Sequence, residues 1–148
     1  MSKEKDIGFA VRRLSNAIKR DVEKSRSSLG IEKVNGVNGW AINFFYENRS
    51  KDIFQRDFEE HFAIRRSTAS RMLKTMEQKG FIKRISVESD ARLKKIVLTE
   101  MAEKQHKLII DDIARREQIL RRGLNDADIE QFMKTIEKII INMEEEND

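Results

Sequence analysis

The chain has no cysteine and no proline, and only six of its 148 residues are glycine. The missing thiols exclude disulfide staples, thiolate metal sites and any trigger that works by cysteine oxidation. Without proline the strongest interior helix breaker is gone, so helices can run until a glycine ends them. Histidine is scarce as well. His61 and His106 lie far apart with no ligand-like spacing, and they read as stray core or surface residues, not as a metal set. No apolar run nears the roughly 18 residues of a membrane span, and no signal-peptide core follows Met1. Nor is there an HExxH, a Gly-x-Ser-x-Gly or a phosphate-binding glycine loop. These absences predict an intracellular chain with no catalytic residues, no metal and no cofactor.

Charge is what the chain has in abundance: 38% of residues carry it, for a net of only +4. The distribution is uneven. From Arg65 to Lys95 there are ten Lys/Arg against three Asp/Glu, a net of +7, so the rest of the chain sums to −3. A cluster of this kind suits a polyanion, although a solvated face would show the same count.

The apolar spacing predicts a mainly helical chain with one small hairpin. Ile7, Val11, Leu14, Ile18, Val22, Ser25 and Leu29 recur at three- and four-residue steps and predict a helix ending near Gly30. Ile31 to Gly39 reads as a loop. Asn38 can cap a second helix that is apolar nearly all round, from Gly39 to about Glu47. Phe54, Phe58 and Phe62 mark a short third helix. A fourth spans about Arg66 to Lys79 and stops at Gly80. Phe81 to Val87 and Leu93 to Leu98 read as strands. Their turn, around Ser89-Asp90, lacks an Asn-Gly signal and predicts a longer, flexible loop. Thr99 can cap a long helix reaching about Arg122, with Ala102, Ile109, Ile113 and Leu120 on its apolar side. Gly123 breaks it. A last helix, capped by Asn125 or Asp126, carries Ile129, Phe132, Met133, Ile136, Ile139, Ile140 and Met143.

The fourth helix has two chemistries. At 100° per residue Ala69, Met72, Leu73 and Met76 cluster on one side, while Ser67, Arg71, Lys74 and Gln78 centre the other with Ser70 beside them. Arg can fork onto guanine O6 and N7, and Ser, Thr or Lys can reach base edges or phosphates. The first turns of a reading helix go deepest into a major groove, which favours Arg66, Ser67, Thr68, Ser70 and Arg71 over Gln78. The hairpin adds Lys83, Arg84, Arg92, Lys94 and Lys95. Its tip fits a narrow minor groove, with Arg92 as the inserted cation. Asp90 is expected either to brace the wing by pairing with a cation or to bond nearby backbone as an ordinary turn residue.

In these residues the sequence resembles the MarR family of bacterial transcription regulators. The carrying residues are Ser67-Thr68-Ala69-Ser70-Arg71 through Leu73, Glu77 to Arg84, Asp90-Ala91-Arg92 and Val97-Leu98-Thr99. Departures are the phenylalanines of the third helix, Glu59, Arg65 in the capping position and a wing loop without proline. The resemblance implies one unit over 1–148, with a winged helix-turn-helix at 37–99 and dimerisation helices at 5–30 and 100–146. It implies a homodimer whose seam includes Ile7, Val11, Leu14, Ile18, Ile113, Leu120, Ile129, Phe132, Ile136, Ile139, Ile140 and Met143. It also implies a small aromatic or anionic effector, for which Trp40, Phe44, Phe45 and Tyr46 are candidate pocket residues, although such a run also suits plain core.

The expected function is therefore sequence-specific binding of double-stranded DNA at a pseudo-palindromic operator. The expected role is a cytoplasmic, nucleoid-associated repressor, with Arg65, Arg66, Ser67, Thr68, Ser70, Arg71, Lys74, Lys83, Arg84, Asp90, Arg92 and Lys94 at the DNA. The competing class is a helical interaction module without sequence-specific DNA binding.

Overall fold

A computed structural model describes residues 5–147, so Met1 to Glu4 and Asp148 of the expected 1–148 unit lie outside the described residues. The order is α1 (Ile7–Ser28), a 3-10 turn (Glu32–Val34), α2 (Gly39–Glu47), α3 (Gln55–Phe62), α4 (Arg66–Gln78), β1 (Ile82–Val87), β2 (Asp90–Leu98), α5 (Glu100–Arg121) and α6 (Asp126–Glu145). The fold is mainly α with a two-stranded antiparallel wing, as the spacing predicts. No helix among the described residues is long and apolar enough to cross a membrane. The chain divides within α5 into two compact units, one reaching Asp112 and the other starting at Ile113.

The first unit holds the core. Phe58, the one buried residue of α3, sits among Phe44, Phe45 and Phe62 at ring distances of 6.1, 5.5 and 4.8 Å. Leu73 and Met76 of α4, Phe81, Ile82 and Ile96 of the wing root, and Ala102 and Ile109 of α5 are buried with them. The expected loop at Ile31 to Gly39 is present, tightened by the 3-10 turn at Glu32–Val34, and it packs inward. Ile31, Val34 and Val37 are buried, and the buried Arg26 donates from Nη1 to the Val34 carbonyl at 2.7 Å. A segment punctuated by Asn35-Gly36 and Asn38-Gly39 reads as surface, yet every third residue is apolar and packs inward.

Local chemistry sets the joints that position the basic elements. The Asp57 carboxylate accepts from the Phe54 N–H at 2.9 Å and fixes the start of α3. Ala63, at φ 50, makes the tight left-handed step between α3 and α4. At the end of α4, Gly80 has φ 79. The Phe81 N–H donates to the Met76 carbonyl and the Gly80 N–H to Glu77, the paired bonds of a Schellman cap. Thr99 Oγ1 donates to the Gly80 carbonyl at 2.6 Å and accepts from the Ala102 N–H at 3.3 Å, tying that cap to the start of α5.

The wing turn corrects the expectation of a long loop. Only Glu88 and Ser89 separate the strands, and the irregularity lies in β2. Val87 faces Asp90 and Ser86 faces Lys94, so Ala91, Arg92 and Leu93 form a bulge with no Cα partner in β1.

In the second unit Asn125 and Asp128 form a reciprocal capping box at the start of α6, at 2.8 and 3.0 Å. None of the 20 residues of α6 is buried, although Phe132, Met133, Ile140, Ile141 and Met143 are large and apolar.

Candidate nucleic-acid interface

The face of α4 divides as its helical angles predict. Ala69, Leu73 and Met76 are buried and Met72 is half-buried, while Arg65, Arg66, Ser67, Ser70, Arg71 and Lys74 are exposed. Thr68 is half-buried. The helix starts at Arg66 with no side-chain cap on Arg65, so its first N–H groups remain open at the surface.

An open groove of ≈ 630 Å³ runs between the first turn of α3, one flank of α4 and the bulged part of β2. Arg56, Arg66, Arg84, Arg92 and Lys94 line it against a single carboxylate, Glu59. The sequence pattern pointed to four of these cations and missed Arg56, together with its neighbour Gln55. The only available signal was a polar pair opening the phenylalanine helix. Arg65, Ser67, Arg71, Lys74 and Lys83 lie outside the groove lining, on the exposed surface.

Not every cation is equally free. Arg84 is half-buried, with Nε 3.2 Å from Glu77 Oε2 and Nη1 3.4 Å from Gln55 Oε1. Lys95 lies 3.4 Å from Asp52. Lys94 Nζ donates to Ser86 Oγ across the wing at 2.5 Å. Arg92 projects from the bulge, and Asp90 Oδ1 accepts from its backbone N–H at 2.9 Å. Asp90 has no cation partner among the described residues. Of its two expected modes the structure therefore shows the backbone one, which fixes the stem of Arg92 and leaves its guanidinium unpaired.

The four aromatic candidates for an effector pocket fall into different surroundings. Phe44 and Phe45 are buried in the phenylalanine cluster, while Trp40 is 56% exposed. The Tyr46 ring stacks on His106 at 3.6 Å, with the Arg49 guanidinium 4.1 Å from the Tyr46 centroid. His106 Nε2 also lies 2.9 Å from Asn43 Oδ1. Burial holds the His106 pKa below its ordinary 6.5; Glu47 opposes that shift and Arg49 adds to it. Between those two pKa values the unfolded chain binds more protons, so stability falls as pH drops through 6.5 and levels off below the folded pKa. His106→Gln should remove that part of the slope in urea titrations across this window, and an unchanged slope would contradict it.

Residues 48–94 match the MarR family. The chain is 26% identical over 99 residues to the uncharacterized HTH-type transcriptional regulator YybA of Bacillus subtilis (strain 168), covering 67% of this chain and 65% of that protein. The chain thus spans just under two thirds of the length of that relative. Among solved structures, the transcription regulator MarR of Oenococcus oeni PSU-1 superposes with a TM-score of 0.71 at 25% identity, covering 91% of this chain and 98% of that one. MepR of S. aureus, solved as a DNA complex, superposes with a TM-score of 0.75 at 22% identity, covering 96% and 99%. The helix–turn–helix, the wing and these matches agree: residues 48–94 match the MarR family, and the chain has the winged-helix fold of its regulators.

Proposed function

We propose that the chain is a sequence-specific double-stranded DNA-binding transcription regulator. It acts at the nucleoid as a homodimeric repressor on a pseudo-palindromic operator, and a small-molecule effector adjusts its affinity. The observation that carries this reading is the cationic groove between α4 and the wing, continuous with the exposed Ser67, Arg71 and Lys74 of α4. That arrangement offers hydrogen-bonding side chains to a major groove and Arg92 to the adjacent minor groove. The fold it shares with a protein solved on DNA supports the same reading.

The dimer is part of the proposal. Ile7, Val11 and Leu14 on α1 are exposed, and α6 buries nothing. A helix draws most of its stability from packing an apolar face, so both stripes call for a covering surface. A second copy supplies one, with a seam of about 2,000 Å² or more. Two reading helices then stand about 34–36 Å apart, one DNA turn.

Binding is tested by titrating salt against duplex affinity. The logarithmic slope should steepen by about 0.9 per phosphate contacted, and a flat response counts against the reading. Arg71→Ala should weaken cognate binding by about 10- to 100-fold and relax preference at one base pair. Arg92→Ala should weaken binding with a smaller change in base preference. Equal loss on cognate and random duplexes for Arg71→Ala would exclude a base-reading role.

A further inference from the structure

Gln55 is absent from any basic pattern, yet its side chain joins three elements. Its Nε2 donates to Ser70 Oγ on α4 at 2.9 Å, and its Oε1 faces Arg84 Nη1 of β1 at 3.4 Å. Arg84 is held in turn by Glu77 at 3.2 Å. A guanidinium only donates, so the Gln55 oxygen must face Arg84 and its amino group must face Ser70. The direction of every bond in the chain follows from that one fact.

Ser70 has one proton and two lone pairs, and one lone pair accepts from Gln55. Its proton has no acceptor among the described residues. Thr75 on the same helix differs, donating its own proton to the Arg71 carbonyl at 3.1 Å. Ser70 is exposed at the edge of the groove, beside the open face of α4.

We propose that Gln55 is a specificity-determining positioning residue: the directed chain Arg84 to Gln55 to Ser70 fixes the Ser70 hydroxyl as an outward donor that reads an acceptor on a base edge. This rests on the DNA-binding reading above and names one of its discriminating contacts. In the major groove the acceptors are the purine N7, guanine O6 and thymine O4, while cytosine offers only the N4 donor.

The test is selection from randomised duplexes by the full chain, unsubstituted and as Gln55→Glu, Gln55→Met and Ser70→Ala. A carboxylate at position 55 accepts from both Arg84 and Ser70, so Gln55→Glu turns the hydroxyl proton inward and leaves only lone pairs facing DNA. The unsubstituted chain should select against cytosine, which offers no acceptor, at one position by about five- to ten-fold. Gln55→Glu should shift that same position towards cytosine or adenine, which present amino donors. Gln55→Met and Ser70→Ala should leave it indifferent without altering the other positions. The added charge of Gln55→Glu also lowers affinity on all sequences, which is why preference is the quantity read. If Gln55→Glu does not fold by circular dichroism, matched indifference of the other two variants at one position carries the result. The inference is overturned if Gln55→Glu or Gln55→Met selects as the unsubstituted chain does, or if Ser70→Ala weakens every sequence equally. If the unsubstituted chain enriches no duplex at all, the DNA-binding reading fails first.

Discussion

Phe58→Ala should cost about 3–5 kcal/mol of stability. Phe58 is fully buried, and its ring meets three other phenylalanines, so truncation leaves a cavity that a close-packed cluster cannot fill by small shifts. The loss is a large part of the roughly 5–15 kcal/mol that holds a typical domain together. It is also directed at one element. Phe58 is the only buried residue of the eight in α3, so this side chain is the main anchor of that helix. Gln55 and Arg56 ride on the same two turns, and the groove should lose its α3 wall before the whole unit unfolds. Urea unfolding followed by tryptophan fluorescence and by far-UV circular dichroism checks the size, and Phe58→Leu should cost well under half as much. A midpoint within experimental error of the unsubstituted chain would mean that the cluster does not anchor α3.

Such an anchor is legible in sequence because Phe54, Phe58 and Phe62 repeat at helical spacing. The same holds for α4, where Ala69, Leu73 and Met76 fix the helical phase and Gly80 fixes the stop. Asp90-Ala91-Arg92 marks the wing tip, but its local residues do not show its form. A missing Asn-Gly suggests a long loop, whereas the strand pair absorbs the extra length in a bulge at Ala91 to Leu93. Turn chemistry is local, but a bulge depends on the register with the partner strand, which one strand's residues do not encode. The second helix shows a different limit. Trp40 to Tyr46 is apolar on nearly every side, so no phase could tell the exposed Trp40 from the buried Phe44.

Long-range pairings are the least legible part of the site. Gln55 meets Ser70 and Arg84 at 15 and 29 positions' separation, and no propensity or spacing rule links them. They become neighbours only because Ala63 turns the chain between α3 and α4 and Gly80 returns it into β1. Counting charge found the cations of the groove. It could not say that Arg84 braces neighbouring side chains while Arg92 stands free, since both add the same unit to the total.

The exposed apolar face of α6 leads to the second large effect. Phe132→Asp should be nearly silent for a lone chain, because Phe132 is 49% exposed and an exposed substitution typically changes stability by less than about 0.5 kcal/mol. In a homodimer seam the same carboxylate is desolvated without a partner, and two-fold symmetry applies the penalty in both copies. At about 2–3 kcal/mol per copy the dissociation constant should rise by roughly 10³- to 10⁴-fold. Sedimentation equilibrium should then find dimer for the unsubstituted chain and monomer for the variant at the same micromolar concentration. Affinity for a full pseudo-palindrome should drop towards that for a single half-site, because the second reading helix is no longer held one DNA turn away. Half-site affinity itself should stay unchanged, since Phe132 lies in a different compact unit from α4 and the wing. An unsubstituted chain that sediments as a monomer, or a variant that stays dimeric, would remove α6 from the seam and leave its apolar face to another partner.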